Sequence, residues 1–439
     1  MSDLTPTTDH GNKSSNPPAH SERPSIPLAP MIPPNWPCNT FSRFLGTYEP
    51  FEYTHWITES LSWKTTCYIG DWSPLLKIRV RGPEALAFFE YLSTNYWPKI
   101  EPGQAKHAIF CEETTGAITG EGLILMLDRE DILFTSVPGV LWAMFQFEHG
   151  KRKFDATLEV VSDEWYLFQV QGPRSFEVLE GMVDEGQTIR DLRFMSSKEL
   201  SIKGCKLLCL RQGVSGEQGF ELWGKAAEGP KVEAAFPTPG LDFVPAFLGN
   251  TPELIRYRQY LRDAGYGLEN VFSRISGSYS NAILAHHRTP FDLGWGHLVN
   301  PNHDFIGRVA LTKIAEAPPN KLITILWNSE DVSDVHASLF REETYEYMEM
   351  PRVHDQIVAS TVLADGKEIG CAISRCYSYW FKEMISLGVI STEFAVPETR
   401  VVIKWGAEGK PQKMIRGVSA TPSSRTTGTD QADCEIHAI

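Results

Sequence analysis

Strands announce themselves along this chain by the alternation of apolar and polar positions, and helices by apolar residues three and four apart. Leu76-Lys-Ile-Arg-Val-Arg-Gly82 alternates with the two-residue period of a strand. Pro83-Glu-Ala-Leu-Ala-Phe-Phe-Glu-Tyr-Leu92 follows with proline at its start and helical apolar spacing, which predicts a helix. Further strands are predicted over 107–112, Leu123–Leu127 and Ile132–Ser136, then a helix near Val140–His149. Trp165–Gln171 reads as a strand and Gly172-Pro-Arg-Ser-Phe-Glu-Val-Leu-Glu180 as its helix. The succession of strand, Gly-Pro and helix thus occurs twice, which predicts a duplicated α+β module. From Lys321 onward strands dominate: Leu322–Trp327, Val358–Leu363, Ile369–Cys376, Ser386–Ile390 and Arg400–Trp405. Their turn-separated spacing predicts a small β-barrel or sandwich.

One stretch stands apart. Arg211-Gln-Gly-Val-Ser-Gly-Glu-Gln-Gly-Phe-Glu-Leu-Trp-Gly224 is a glycine-rich turn running into a short strand. Alternation sends Phe220 and Leu222 to one face, Glu221 and Trp223 to the other. A carboxylate beside an aromatic plane can recognise a flat, hydrogen-bond-donating heterocycle. A hairpin with a solvated glutamate has the same pattern, and the stretch alone leaves both open.

Composition narrows the class. The chain has 439 residues, 42% of them hydrophobic, enough for two or three domains. Residues 1–37 are rich in Pro, Ser, Thr, Asn and His and read as a disordered tail; 410–439 read as a flexible C-terminal tail. A catalytic region of two related α+β subdomains over 38–318 and a barrel-like subdomain over 319–409 lie between. The net charge of -14 comes with no basic stripe, so no nucleic-acid partner is expected. The eight cysteines show no CxxC pair and no zinc-type spacing, so neither a metal site nor a disulfide scaffold is expected. The N-terminus has no signal-type apolar core and apolar runs are strand-sized, so the expectation is a cytoplasmic protein without a membrane partner. His286-His287-Arg288 reads as a solvated loop.

Several motifs fall in a particular order. They are Arg81-Gly-Pro83, Glu101-Pro-Gly-Gln-Ala105, Gly116-Ala-Ile-Thr-Gly-Glu-Gly122, Gln169-Val-Gln-Gly-Pro173, Ser215-Gly-Glu-Gln-Gly-Phe-Glu221, Thr289-Pro-Phe-Asp-Leu-Gly-Trp-Gly296 and Asp304-Phe-Ile-Gly-Arg308. Together they resemble the glycine-cleavage T-protein (aminomethyltransferase) superfamily over about residues 45–406. Asn302-His-Asp-Phe-Ile-Gly-Arg308, Leu326-Trp-Asn-Ser-Glu-Asp331 and His336-Ala-Ser-Leu-Phe340 are similar to the tetrahydrofolate-dependent aromatic O-demethylases of the vanillate and syringate type. The resemblance implies an α+β fold of three subdomains, with folate in a central channel and a C-terminal β-barrel-like part.

It also implies roles. Glu221 matches a glutamate that hydrogen-bonds the pterin ring, and Gln169 a glutamine near the folate. Glu121 stands where the family commonly has an aspartate near the reacting nitrogen. Tyr48 matches a tyrosine near the aromatic substrate, and Trp295 is assigned to the folate-facing wall with Trp223 beside Glu221. The implied reaction takes a methyl group from a methoxylated aromatic or related small molecule to N5 of tetrahydrofolate, so the protein supplies orientation and no covalent nucleophile. The substrate region departs from the family. The O-demethylase tyrosine beyond Val244-Pro245 has no counterpart in Phe247–Pro252. Ser136 aligns roughly with a carboxylate-gripping arginine, and Pro74 is close to the position of a histidine. Arginine occupies a T-protein glutamate position in Leu254–Arg258. Tyr48, Tyr257 and Tyr260 are candidate acids for the leaving oxygen, against simple packing. Arg256 and Arg258 are candidates for a folate tail or acidic substrate, against surface ion pairing. Two other functions stay open: a diverged enzyme using the same cavity for another, folate-independent reaction, and a non-enzymatic folate-fold binding protein.

Overall fold

The computed structural model describes residues 41–44, 47–50, 55–213, 216–229, 251–265, 275–279, 287–350 and 357–420, with side chains described from residue 55 onward except at 275 and 357. Among the described residues, two five-stranded antiparallel sheets and a closed six-stranded barrel stand beside two small two-stranded pairings. The first sheet runs Ala105–Cys111, Ile118–Asp128, Asp131–Thr135, Lys77–Arg81, Thr157–Val160. The second runs Ser197–Ile202, Cys205–Leu210, Gly219–Lys225, Trp165–Gln171, Tyr68–Asp71.

The two sheets have the same order, and each takes its last strand from the other's lead-in. Tyr68–Asp71 directly precedes the first sheet's Lys77–Arg81 but pairs with Trp165–Gln171 of the second. Thr157–Val160 directly precedes Trp165–Gln171 but pairs with Lys77–Arg81. The crossings match bond for bond. The Ser162 hydroxyl accepts from the Lys77 amide at 2.9 Å, and the Ser73 hydroxyl accepts from the Leu167 amide at 3.0 Å. Val161 N–H donates to the Lys77 carbonyl at 2.9 Å, and Trp72 N–H to the Leu167 carbonyl at 2.8 Å. The repeated Gly-Pro follows the same logic. Gly82 and Gly172 have φ of 135° and 134°. A Cβ on Gly82 would sit 2.7 Å from the Asp155 carbonyl oxygen, and one on Gly172 2.6 Å from that of Thr66. Each glycine is required where the exchanged lead-in passes against the turn.

A helix backs each central strand: Ala85–Leu92 on the first sheet and Ser175–Glu180 on the second. Behind the first sheet, Phe88, Phe89, Phe110, Phe134, Trp142 and Tyr257 share one apolar core. Behind the second, Val170, Leu200, Leu207, Phe220 and Leu222 share another. The hairpin Ser197–Leu210 turns through Lys203 and Gly204, both at positive φ, the conformation of a tight two-residue hairpin turn.

The barrel order is Asn320–Trp327, Glu383–Ser391, Lys367–Ser378, Ser360–Ala364, Arg400–Trp405, Lys413–Ala420. Its last strand corrects the expected tail from residue 410: Lys413–Ala420 pairs with both Arg400–Trp405 and Asn320–Trp327 and closes the barrel. Its inward positions escape a hydrophobicity reading because two of them are Gly417 and Ser419, and a Cβ at Gly417 would sit 2.7 Å from Ile403 Cδ1. No helix among the described residues is long and apolar enough to cross a membrane.

Candidate active site between the two sheets

The inner faces of the sheets meet. Ala105, Leu123, Leu125 and Leu133 of the first join Leu167, Leu210 and Trp223 of the second in one apolar cluster. Strand parity puts His107 and Glu121 on the first inner face, and Gln169 and Glu221 on the second. Polar groups therefore stand beside a shared apolar floor.

On the second sheet Glu221 and Gln169 are directly paired across neighbouring strands. Gln169 Nε2 donates to the Gln212 carbonyl at 3.1 Å and to Gln171 Oε1 at 3.3 Å; Gln171 Nε2 donates to the Glu217 carbonyl at 3.3 Å. The two glutamines thus tie the glycine-rich turn to the sheet. Gly219 is needed there: its Cβ would lie 2.7 Å from Gly213 Cα and 3.2 Å from Gln169 Nε2. Glu221 is buried, 8% exposed. Trp223 Nε1 donates to its Oε2 at 3.0 Å, while among the described residues nothing donates to Oε1. Burial pushes the Glu221 carboxyl up to about 7, against the Trp223 bond and the charge of Lys77, which favour ionisation.

Lys77 is wholly buried where the second module has Leu167. Its Nζ donates to the carbonyls of Ser73 and Leu75, each at 2.9 Å. Desolvation lowers it to about 7, opposed by the negative charges of Asp71, Asp163 and Glu221. Asp71 is raised by burial although the Ser73 amide donates to its Oδ1 at 2.8 Å. A buried lysine among three carboxylates under the Glu221 face is a charge arrangement that strand alternation did not reveal.

On the first sheet His107 Nε2 and Glu121 Oε2 are 2.7 Å apart, and both side chains are 29% exposed. His107 meets Trp295 edge to face, with ring centroids 5.3 Å apart. Trp295 is buried with Ile109, Cys111, Ile118 and Phe305. His107 was missed from sequence because the contact is diagonal: it lies opposite Leu123, and Glu121 opposite Ile109, a register only the sheet fixes.

Tyr48 has its backbone in the strand Thr47–Pro50, paired with Phe41–Phe44, and its side chain is outside the described residues, as is Phe247. Tyr257 corrects the expectation of an acid near the substrate. It is buried on the far side of the first sheet from Glu121, against Trp142 and Phe145, and burial raises its phenol well above the ordinary range. The cause is helical spacing: Leu254, Tyr257 and Leu261 are the buried face of the helix Pro252–Asp263. Tyr260 of the same helix packs on Phe145 and His149, Arg256 is exposed and Arg258 is half-buried. Ser136 is structural, donating to the Glu121 carbonyl and accepting from the Gly139 amide. Arg288 is not solvated; it is buried and donates to Cys371 Sγ at 2.8 Å.

This architecture is that of a known class. The fold matches glycine cleavage system aminomethyltransferase T from Bartonella henselae with a TM-score of 0.59, over 87% of this chain and 93% of that one, at 18% identity. Residues 39–246 match the GCVT N-terminal domain family. The chain is 30% identical to a sesamin methylene transferase of Sinomonas sp. (84% of this chain, 88% of the relative). It is 29% identical to a syringate O-demethylase of Sphingobium sp. (88% and 92%) and 26% identical to an aminomethyltransferase of Thermotoga maritima (82% and 88%). The chain belongs to the T-protein superfamily, nearer in sequence to this O-demethylase and methylene transferase than to that aminomethyltransferase. It is an enzyme that transfers one-carbon groups, with tetrahydrofolate as the carrier. The residues present fit such a carrier. A buried carboxylate with one oxygen lacking a donor is the complement of a flat ring edge that carries N–H groups.

Proposed function

We propose that this enzyme takes a methyl group from a methoxylated aromatic or a related small molecule and passes it to N5 of tetrahydrofolate. The carrier supplies the nucleophilic nitrogen, and the protein supplies binding, orientation and a dry floor. Glu221 carries the reading. Its buried position makes the charged form costly unless donors meet it, and a pterin N–H edge provides them. Gln169 flanks it and holds the glycine-rich turn in place. Trp223 orients the carboxylate from below, and Trp295 forms the wall beside His107.

The donor class rests on the relatives, which act on syringate and on sesamin. The similar identity to a methylene transferase favours a second reading, in which the group transferred is the one-carbon bridge of an aromatic methylenedioxy ring. A vanillate-like carboxylate donor fits poorly, because Ser136 occupies the position aligned with the family's arginine and is engaged with backbone.

Titration with tetrahydrofolate, repeated on Glu221→Ala, tests the carrier site. Binding by the wild type and its loss in the variant are expected; equal binding by both removes Glu221 from the site. Incubation with methoxylated and methylenedioxy aromatics, followed by identification of the folate product, separates the two donor readings.

A further inference from the structure

The proposed transfer has a proton requirement that neither candidate tyrosine of the helix Pro252–Asp263 meets. The C–O bond of the donor breaks and a C–N bond forms at the carrier. The oxygen must gain a proton and the nitrogen must lose one, so one proton moves from nitrogen to oxygen and nothing is oxidised or reduced. Tyr257 and Tyr260 lie behind the first sheet and cannot serve.

We propose that His107, held through Nε2 by Glu121, is the acid–base group of this transfer, its Nδ1 accepting the proton shed at nitrogen and giving one to the departing oxygen. The proposal rests on the one-carbon transfer read above. Four observations carry it. The Nε2–Glu121 bond of 2.7 Å fixes the ring and leaves Nδ1 as the nitrogen able to meet a ligand. Among the described residues no protein group bonds Nδ1, and the ring is 29% exposed. Trp295 packs edge to face on the ring, with centroids 5.3 Å apart. The pair lies on the inner face beside the apolar floor that both sheets share, where Gln169 and Glu221 stand on the other sheet. A carboxylate behind an imidazole stabilises the imidazolium and fixes its tautomer, which is what a group that both takes and gives a proton needs.

The first test does not depend on turnover. In protein labelled with ¹⁵N-histidine, the signals absent from His107→Gln identify His107. Tetrahydrofolate is then added, with its binding followed by tryptophan fluorescence in the same sample. The expected result is a displaced Nδ1 resonance with Nε2 still bonded, and loss of the fixed tautomer in Glu121→Gln. Binding that leaves Nδ1 unmoved overturns the relay, because a merely structural pair would not sense the ligand. Absence of binding overturns the carrier site and the relay with it. The second test uses 4-methoxyphenol and 4-nitroanisole as donors. His107→Gln is expected to slow transfer from 4-methoxyphenol by about 10²-fold or more, and less from 4-nitroanisole, whose leaving oxygen needs little protonation. Unimpaired transfer by His107→Gln overturns the relay alone. If the wild type turns over neither donor, the Nδ1 resonance decides: a displaced signal keeps the relay and an unmoved one overturns it.

Discussion

Glu221→Gln should make the folate-free enzyme more stable while removing its affinity for folate. The Glu221 carboxyl is raised from 4.5 to about 7, chiefly by desolvation. A carboxyl whose folded value lies above its unfolded one contributes its full stability below the unfolded value and loses it as pH rises through the folded value. The shift corresponds to about 3 kcal/mol of stability lost by the wild type between about pH 4.5 and about pH 8. Glutamine keeps an acceptor for the Trp223 indole and is never ionised. The variant should therefore gain about 3 kcal/mol at about pH 8, and less than about 1 kcal/mol at about pH 5. Against a typical total of about 5–15 kcal/mol this is a large change. Urea unfolding of the folate-free proteins at both pH values, with tetrahydrofolate titration at the higher one, measures it. An equal gain at both pH values would refute the buried-charge account. Retained folate affinity would refute the assignment of Glu221 to the carrier.

Trp223→Phe removes the donor to Glu221 Oε2, one of the two influences favouring the ionised form, so the carboxyl rises further and folate affinity falls; the fall should shrink as pH is raised, as a binding series across pH would record. Lys77→Met should stabilise the folate-free protein by a few kcal/mol near neutrality, since the buried ammonium is lowered to about 7; its cost is full below that value and fades as pH approaches the ordinary 10.5, so the advantage in urea midpoints should narrow at about pH 9. Gly172→Ala forces a Cβ to within 2.6 Å of the Thr66 carbonyl at φ of 134°, and should cost more than about 1–3 kcal/mol; Gly82→Ala should match it, because both turns guard equivalent strand crossings. Unchanged thermal midpoints in both would remove the close approach as the reason for glycine.

Much of the frame was legible. The repeated strand, Gly-Pro and helix at Arg81–Leu92 and Gln171–Glu180 gave away the duplication, because a helix backing a strand needs its own apolar period. Alternation in Phe220–Trp223 placed Glu221 and Trp223 together, and they are hydrogen-bonded. The Tyr257 assignment failed because the helix Pro252–Asp263 buries that position, and a tyrosine at helical apolar spacing is held by its ring before its hydroxyl counts. The final barrel strand was hidden by its small inward residues, Gly417 and Ser419.

Local pattern carries many of the strands and helices, the duplication and the two carboxylates, since alternation and turn chemistry act over a few residues. Which faces meet is set by packing across the whole fold. Tyr-Ile-Gly-Asp and Thr-Leu-Glu-Val carry no local sign that each pairs with the other module's central strand. That exchange knits the sheets together. Lys77, which alternation groups with Arg79 and Arg81, is thereby buried, while Arg79 and Arg81 reach Asp131 at a half-exposed edge. The His107–Glu121 pair likewise exists only through register. Contacts between residues far apart in the chain are set by packing whole faces against one another, and no window of sequence contains them.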